Sequence, residues 1–288
     1  MDESYTADAV ARGVGLESFA EDRELQAADR GARILFRPAF HPECALTAIE
    51  VEGATTISLH TARTNLWYWW GSAEGTSASR PSPPALWREA AEVSTHRAHA
   101  FWTGVEVLDF SSTPSRTLGV DGMTVNGVLT RGPKVAAFEI WSPEPPSPAH
   151  QYAAALWSLA DDSLRQEENV RLLEQLHRYL GLGLPVKVVR GAFTTIRLFG
   201  ALSTHDESGL RSTLGQVRSD VPVLMDMTNL DGMGTRLHAL FAEFAERKGS
   251  TAWVASRSAL DHLAAIGVPS VMIFEDRDAA AAWLMRPC

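Results

Sequence analysis

A chain of 288 residues has room for two domains of ordinary size or one large one, and its 45% hydrophobic and 21% charged residues are the balance of a water-soluble globular protein. No window approaches 18 consecutive apolar residues, which argues against a membrane span. The net charge of −9 lies wholly before residue 187, since residues 187–288 carry 11 basic and 11 acidic side chains; without clustered Lys and Arg, nucleic acid is a poor partner.

The acidic start MDESYTADAV lacks the basic-then-apolar pattern of a signal peptide, so a cytoplasmic location is expected. Cys44 and Cys288 fit no zinc or redox spacing and offer no disulfide framework; one reads as a small core filler, the other as an exposed thiol. Residues 1–30 form an acidic segment, frayed over its first dozen residues, with a short helix expected from Glu17 to Arg30.

From Ile34 the pattern changes. ILFRPAF, ALTAIEVEG and TTISLH are rich in β-branched and aromatic residues and read as strands, with Gly53 in a tight hairpin between the last two. Trp67, Trp69 and Trp70 sit in an aromatic cluster, Leu66–Trp70, for which two readings stand: a strand packing a helix, or an aromatic-walled surface for a ligand or partner. Pro84 to Val93 reads as a short helix. His96 and His99 are spaced to share a metal on a helix, but no third ligand is near, and they read as solvated residues before a strand. Strands are then expected over Phe101–Phe110, Leu118–Leu129 and Val135–Trp141, with Asp121-Gly122 and Gly132-Pro133 as turns. The expectation for 31–146 is an α+β domain built mainly on an antiparallel sheet of five to seven strands.

Ser142–Pro148 is a stiff proline-rich stretch that ends in a helix start, Ser147 as N-cap and Pro148 at the first helical position. The helix or helix pair over 147–183 carries Tyr152, Leu156, Trp157 and Ala160, then a narrow stripe of Val170, Leu173, Leu176 and Leu180, and Gly181 stops it. Such a stripe fits a connector packed on one side, a dimer seam, or plain packing on its own domain.

Residues 187–288 alternate strand and helix: a strand over Phe193–Phe199, a helix capped by Thr204 with Glu207, and an apolar strand over Val221–Met227. A polar turn, Asp231-Gly232-Met233-Gly234, leads to a helix with Leu237, Leu240, Phe241 and Phe244 on one face. Further strands cover Thr251–Ala255 and Val271–Phe274. Helices follow each of them, one capped by Ser258 with Asp261 and ended by Gly267, the last begun by Asp276. This order implies an α/β domain with a parallel or mixed sheet. The stretch from Pro222 to Leu240 stands out, because a strand, a tight turn and a helix start would gather free backbone N–H groups at one spot.

Three stretches carry a family resemblance: Ile196-x-Leu198-x-Gly200-x-Leu202, then Val223-Leu224-Met225-Asp226-Met227, then Leu230-Asp231-Gly232-Met233-Gly234. With Gly249 before Trp253-Val254-Ala255 and the closing Phe274-Glu275-Asp276, this region resembles the STAS domain, the family of anti-sigma factor antagonists and sulphate-transporter tails. The resemblance implies a loop that a partner kinase phosphorylates on its second hydroxyl residue. Here Gly232 and Met233 occupy the hydroxyl positions, while Asp231 and Gly234 keep theirs. The implied function is a non-enzymatic regulator or scaffold that associates with a protein partner, an anti-sigma or kinase-like protein or another regulator, through Asp231, Gly232, Met233, Gly234 and Thr235. Without the acceptor, binding there would be constitutive. The whole layout is similar to that of stressosome-type proteins.

Motifs of the common hydrolase, nucleotide and zinc-protease sites are absent, so neither catalysis nor a cofactor or metal is expected. Two rival readings remain open: an inhibitor or immunity-type protein using the acidic, aromatic-rich N-terminal domain, and a small-molecule sensor with the STAS-like unit as output.

Overall fold

The computed structural model describes residues 6–19, 21–74, 84–111, 121–247 and 250–286. The chain divides into two compact units, Met1–Gly181 and Leu182–Cys288.

The first unit is built on a six-stranded antiparallel sheet, order β4-β3-β2-β1-β5-β6. Its strands are β1 (Arg30–Pro38), β2 (Cys44–Val51), β3 (Ala54–Ala62), β4 (Leu86–Val93), β5 (Met123–Arg131) and β6 (Lys134–Trp141). The β2–β3 hairpin turns through Glu52 (φ 51°) and Gly53 (φ 80°). Two successive positive φ values match the right-handed twist of the flanking strands. Glu52 tolerates this because its N–H donates to the Asp29 carboxylate at 2.8 Å.

One sheet face is apolar. Ile34, Leu46 and Leu59 lie in one row across β1, β2 and β3 and are fully buried. Two helices close over this side: α4 (Thr95–Val105) and α5 (Pro148–Ser163). In α5, Ser147 accepts from the His150 N–H and Pro148 opens the first turn, as expected. Tyr152 is fully buried; its hydroxyl lies 3.3 Å from the Arg33 carbonyl and 2.5 Å from the Val128 carbonyl, so this helix is stitched to β1 and β5. Helix α6 (Glu167–Leu180) follows and ends at Gly181, which adopts φ 59°. Its start is held by Glu89 of β4, whose carboxylate accepts from the Gln166 N–H and from Asn169 Nδ2. The pair over 147–183 is therefore packed within the first unit.

Several expectations change. Leu86–Val93 is strand β4, not a helix: pairing with β3 along its whole length outweighs the helix propensity of its Ala, Arg and Glu residues. Thr95–Val105 is a helix, not the approach to a strand over Phe101–Phe110. Ala98, Phe101, Trp102 and Val105 make one buried face, and the Trp102 indole N–H donates to Thr55 at 3.0 Å. Leu66–Trp70 begins helix α3 (Leu66–Glu74). Near the N-terminus, Ala7–Gly13 forms α1 rather than fraying, and the helix expected over Glu17–Arg30 is only α2, Arg23–Ala27, capped by Asp22. Cys44 is buried in β2, and burial pushes its thiol pKa up; Cys288, Gly249, residues 118–120 and much of the Gly71–Pro84 loop lie outside the described residues.

The second unit is a five-stranded mixed sheet, order β11-β10-β9-β8-β7. It comprises β7 (Val186–Arg190), β8 (Thr194–Leu202), β9 (Val223–Met233), β10 (Thr251–Ala255) and β11 (Ile273–Phe274). β8, β9, β10 and β11 run parallel, and β7 is antiparallel to β8. Helices α7 (Glu207–Gly215), α8 (Leu237–Arg247) and α9 (Leu260–Ile266) supply Leu210, Leu214, Leu237, Phe241 and Leu263 to one core with Met225, Met227 and Trp253. Each such large apolar side chain contributes about 1.5–3 kcal/mol. Helix α10 (Arg277–Leu284) packs Ala280 on the opposite face, against Leu224, Ala252 and Val254; Asp276 caps it through the Ala279 N–H at 2.7 Å. The capping box before α7 is Ser203 with Asp206, one residue earlier than expected. Ser258 bonds the Leu230 carbonyl instead of capping α9. No helix among the described residues is long and apolar enough to cross a membrane.

Candidate functional site

The stretch Asp231–Gly234 is not a free turn. Strand β9 runs on to Met233, pairing Gly232 with Ala201 and Met233 with Leu202, and the Gly234 N–H donates to the Leu202 carbonyl at 2.9 Å. Met233 is 7% exposed and belongs to the core, so the expected apolar contact surface at that side chain is absent. Three of the backbone donors expected to gather here are used within the chain: besides Gly234, the Leu237 N–H goes to the Gly234 carbonyl and the His238 N–H to the Thr235 carbonyl. Asp231, Thr235 and Arg236 are exposed, and Gly232 and Gly234 are half-buried. A side chain at position 232 would meet open space, whereas one at 234 would touch Thr204 at 3.4 Å.

The exposure of Asp231 has a backbone cause. Gly200 pairs with Leu230 and Ala201 with Gly232, so Asp231 is an extra residue on β9, beside Gly200 at φ 62°. A second extra residue falls between Asp226 and Asn229. Bulges of this kind re-aim side chains, and sequence periodicity carries no sign of them. This second bulge is fastened by Asp226, whose Oδ1 accepts from the Thr228 N–H at 3.0 Å and hydroxyl at 2.6 Å. Its Oδ2 takes Arg277 Nε at 2.5 Å and faces Arg197 Nε at 3.5 Å. At 1% exposure with four donor groups from three residues, Asp226 ties β8, β9 and α10 together.

Of the three tryptophans singled out, Trp67 is 42% exposed, whereas Trp69 and Trp70 are half-buried with ring centroids 6.0 Å apart. Trp70 packs beside Val10, Val14 and Leu66. The helix they ride on starts at Glu43, a fully buried carboxylate that accepts from the Leu66 and Trp67 N–H groups at 2.6 and 3.2 Å. His96 and His99 are exposed on α4.

The first unit also holds a site that residue patterns alone did not reveal. The face of the sheet opposite α5 is mixed: Leu35, Ala45 and Ala62 pack with Val10 and Val14, while Arg33, Thr47 and Ser58 form one row across β1, β2 and β3, and His60 pairs with Arg88 on β4. Gly15–Glu17 and Asp22–Glu24 flank these side chains and line with them an open cavity of about 280 Å³. Arg33 is 2% exposed; its Nε donates to Thr47 Oγ1 at 2.9 Å and its Nη2 pairs with Asp22. Its Nη1 is buried and has no partner among the described residues. Asp22 spends its other oxygen on the Leu25 N–H. Burial first, then the positive charges of Arg88 and Arg33, push the His60 pKa down to about 4. That imidazole is neutral at pH 7 and bonded to the Val14 backbone. The only signal in the sequence was an alternation, Arg33-x-Leu35-x-Arg37 and Ser58-x-His60, that sets charged residues inside apolar strands.

No family model matches the chain, and no curated protein matches it. Among solved structures it is similar to an uncharacterised protein of the DUF3478 family with a SpoIIAA-like fold from Shewanella loihica PV-4. The identity is 21%, over 34% of this chain and 91% of that one, at a TM-score of 0.26.

Proposed function

We propose that the protein is a non-enzymatic, cytoplasmic regulator of two parts: a STAS-like C-terminal unit that associates with a protein partner, and an N-terminal unit that receives a small molecule. The observation that carries this reading is the cavity over Arg33. Its buried groups with acid–base chemistry are already committed, Asp22 to Arg33 and to the α2 cap, His60 to the Val14 backbone with a depressed pKa, while Glu17 and Glu24 are exposed at the rim. A cavity whose buried acid–base groups are spent is suited to holding a ligand rather than to moving a proton. The STAS-like reading of the second unit is supported by the stretches at 196–202, 223–227 and 230–234 on a mixed sheet with α7, α8 and α9.

The association surface is the Asp231 bulge with Thr235 and Arg236. With Met233 in the core, a serine at 233 would point inward, so association here is constitutive rather than phosphorylation-switched. The partner is a protein, of the anti-sigma or kinase-like kind or another regulator. The test compares wild type with Asp231→Arg/Thr235→Arg as immobilised bait, both verified as folded by circular dichroism. Recovery of a defined partner is expected to fall about tenfold in the variant. Equal recovery would remove the bulge from the account.

A further inference from the structure

The first unit has a second cavity, and there the charged groups are uncommitted. It lies where the end of β3, the start of β4 and the first half of α6 meet, and its volume is about 290 Å³. Trp87 on β4 pairs with Thr61 on β3, and the ladder runs on, the Arg63 N–H donating to the Ala85 carbonyl at 2.9 Å. Thr61 and Arg63 therefore share a face, and Arg63 is the diagonal neighbour of Trp87. Its guanidinium carbon lies 4.3 Å from the indole centroid. From α6, Glu168, Arg171, Leu172 and Gln175 recur at the spacing of one helical face and form the opposite wall.

Three features select a ligand class. The first is charge: two guanidiniums, Arg63 and Arg171, face one carboxylate, Glu168. All three side chains are exposed, and none makes a hydrogen bond or ion pair among the described residues. The neighbouring Glu43 carboxylate caps α3 and is not part of the lining. The excess is one positive charge. The second is shape: stacking on the indole uses the flat face of the Arg63 guanidinium and leaves its in-plane N–H fork, which matches the two oxygens of a carboxylate. The stack also holds the long side chain in place beforehand, so less freedom is lost on binding. The third is the remaining lining. Apart from Gln175 it is apolar, from Pro42, Ala62, Leu172 and the Trp87 ring, because the Thr61 hydroxyl is already given to the Glu43 carbonyl at 2.9 Å. The volume limits a guest to roughly a dozen non-hydrogen atoms.

We propose that this cavity binds a small monocarboxylate with an apolar body of about one ring, its oxygens on the Arg63 fork and its ring against Leu172, Ala62 and Pro42. Arg171 adds attraction and Glu168 opposes it. The inference rests on the reading of the first unit as the receiving part, but it uses a cavity separate from the one over Arg33, which Arg88 lines instead. A phosphate brings nearly two negative charges and no apolar body. An amide of the same shape lacks the charge that the arginines answer.

Titration calorimetry on the full chain with benzoate, benzamide and inorganic phosphate tests the proposal. Benzoate should bind with Kd of about 1 mM or tighter, and benzamide and phosphate at least about tenfold more weakly. Arg63→Gln, on an exposed side chain and checked as folded by circular dichroism, should weaken benzoate about tenfold. Arg63→Lys keeps the charge but loses the fork and should weaken it about threefold. Glu168→Gln removes the opposing charge and should tighten it about threefold. No binding of benzoate, benzamide or phosphate binding as tightly, an unchanged affinity in Arg63→Gln, or weaker binding in Glu168→Gln would overturn the assignment. Benzoate binding that is lost in Arg88→Gln but kept in Arg63→Gln overturns this site and leaves the first unit as the receiving part. No benzoate binding with partner capture through the Asp231 surface intact overturns the site and leaves the association standing.

Discussion

Asp226 in the second unit and Asp22 in the first are both shielded from solvent and both hold a guanidinium. Around Asp226 both oxygens are filled, by Thr228 on one side and by Arg277 and Arg197 on the other. Around Arg33, Thr47 and Asp22 take two nitrogens, the Phe19 ring lies 5.8 Å from the guanidinium carbon, and the buried Nη1 has no partner among the described residues. A completed buried network fixes structure; an incomplete one leaves a polar group unsatisfied. The same pair of residue types therefore sits in a filled network in one unit and in an incomplete one in the other.

The largest effect should come from breaking the fastener. Asp226→Ala removes the shared carboxylate from Arg277, Arg197 and Thr228 and is expected to destabilise the second unit by about 3 kcal/mol. Urea denaturation, with hydrogen exchange in 223–233 to assign the transition, reads this directly. A loss under about 1 kcal/mol would make the cluster ornamental.

Acidification should strike the other region. The folded His60 pKa of about 4 lies below the unfolded value near 6.5. Between those pH values the unfolded chain takes up a proton that the folded chain refuses, so folding stability falls as pH drops from about 6.5 to 4, by up to about 3 kcal/mol. Burial lowers the His177 pKa as well, adding in the same direction. His60→Gln should flatten the slope of the first unit's stability in that window. An unchanged slope would mean that His60 is not a buried neutral group.

Smaller effects probe the bulge and the helix layer. Met233→Ser should destabilise the second unit by about 2–3 kcal/mol, whereas Asp231→Ser should stay within about 0.5 kcal/mol. Equal effects at the two positions would contradict the strand and its bulge. Tyr152→Phe removes the hydroxyl that stitches α5 to β1 and β5 and should reduce stability by about 1 kcal/mol.

The comparison also measures what the sequence reveals. Ends of elements were legible where one residue type has a distinct backbone role: Ser147 and Pro148 at a helix start, Gly181 at a stop, Gly53 in a hairpin, Asp276 at a cap. The helical stripe Leu237, Leu240, Phe241 and Phe244 was legible because its period is unambiguous. Leu86–Val93 was not, because Ala, Arg and Glu favour helix locally and only the neighbouring strand decides otherwise. The aromatic run through Phe101 and Trp102 looked extended because bulky residues favour strands, although Ala98, Phe101, Trp102 and Val105 also fit a helix face. Neither the bulge that turns Asp231 outward nor the cavity over Arg33 has a local signature. Both depend on register and on residues distant in the chain.

Hydrogen exchange of the full chain, wild type against Asp226→Ala and Arg33→Gln, tests the contrast between the two units most directly. Asp226→Ala is expected to speed exchange across 223–233 at least about tenfold and Arg33→Gln to speed it in β1 and β2 by less, because one network is filled and the other is not. A larger effect from Arg33→Gln, or no change across 223–233 in Asp226→Ala, would contradict this.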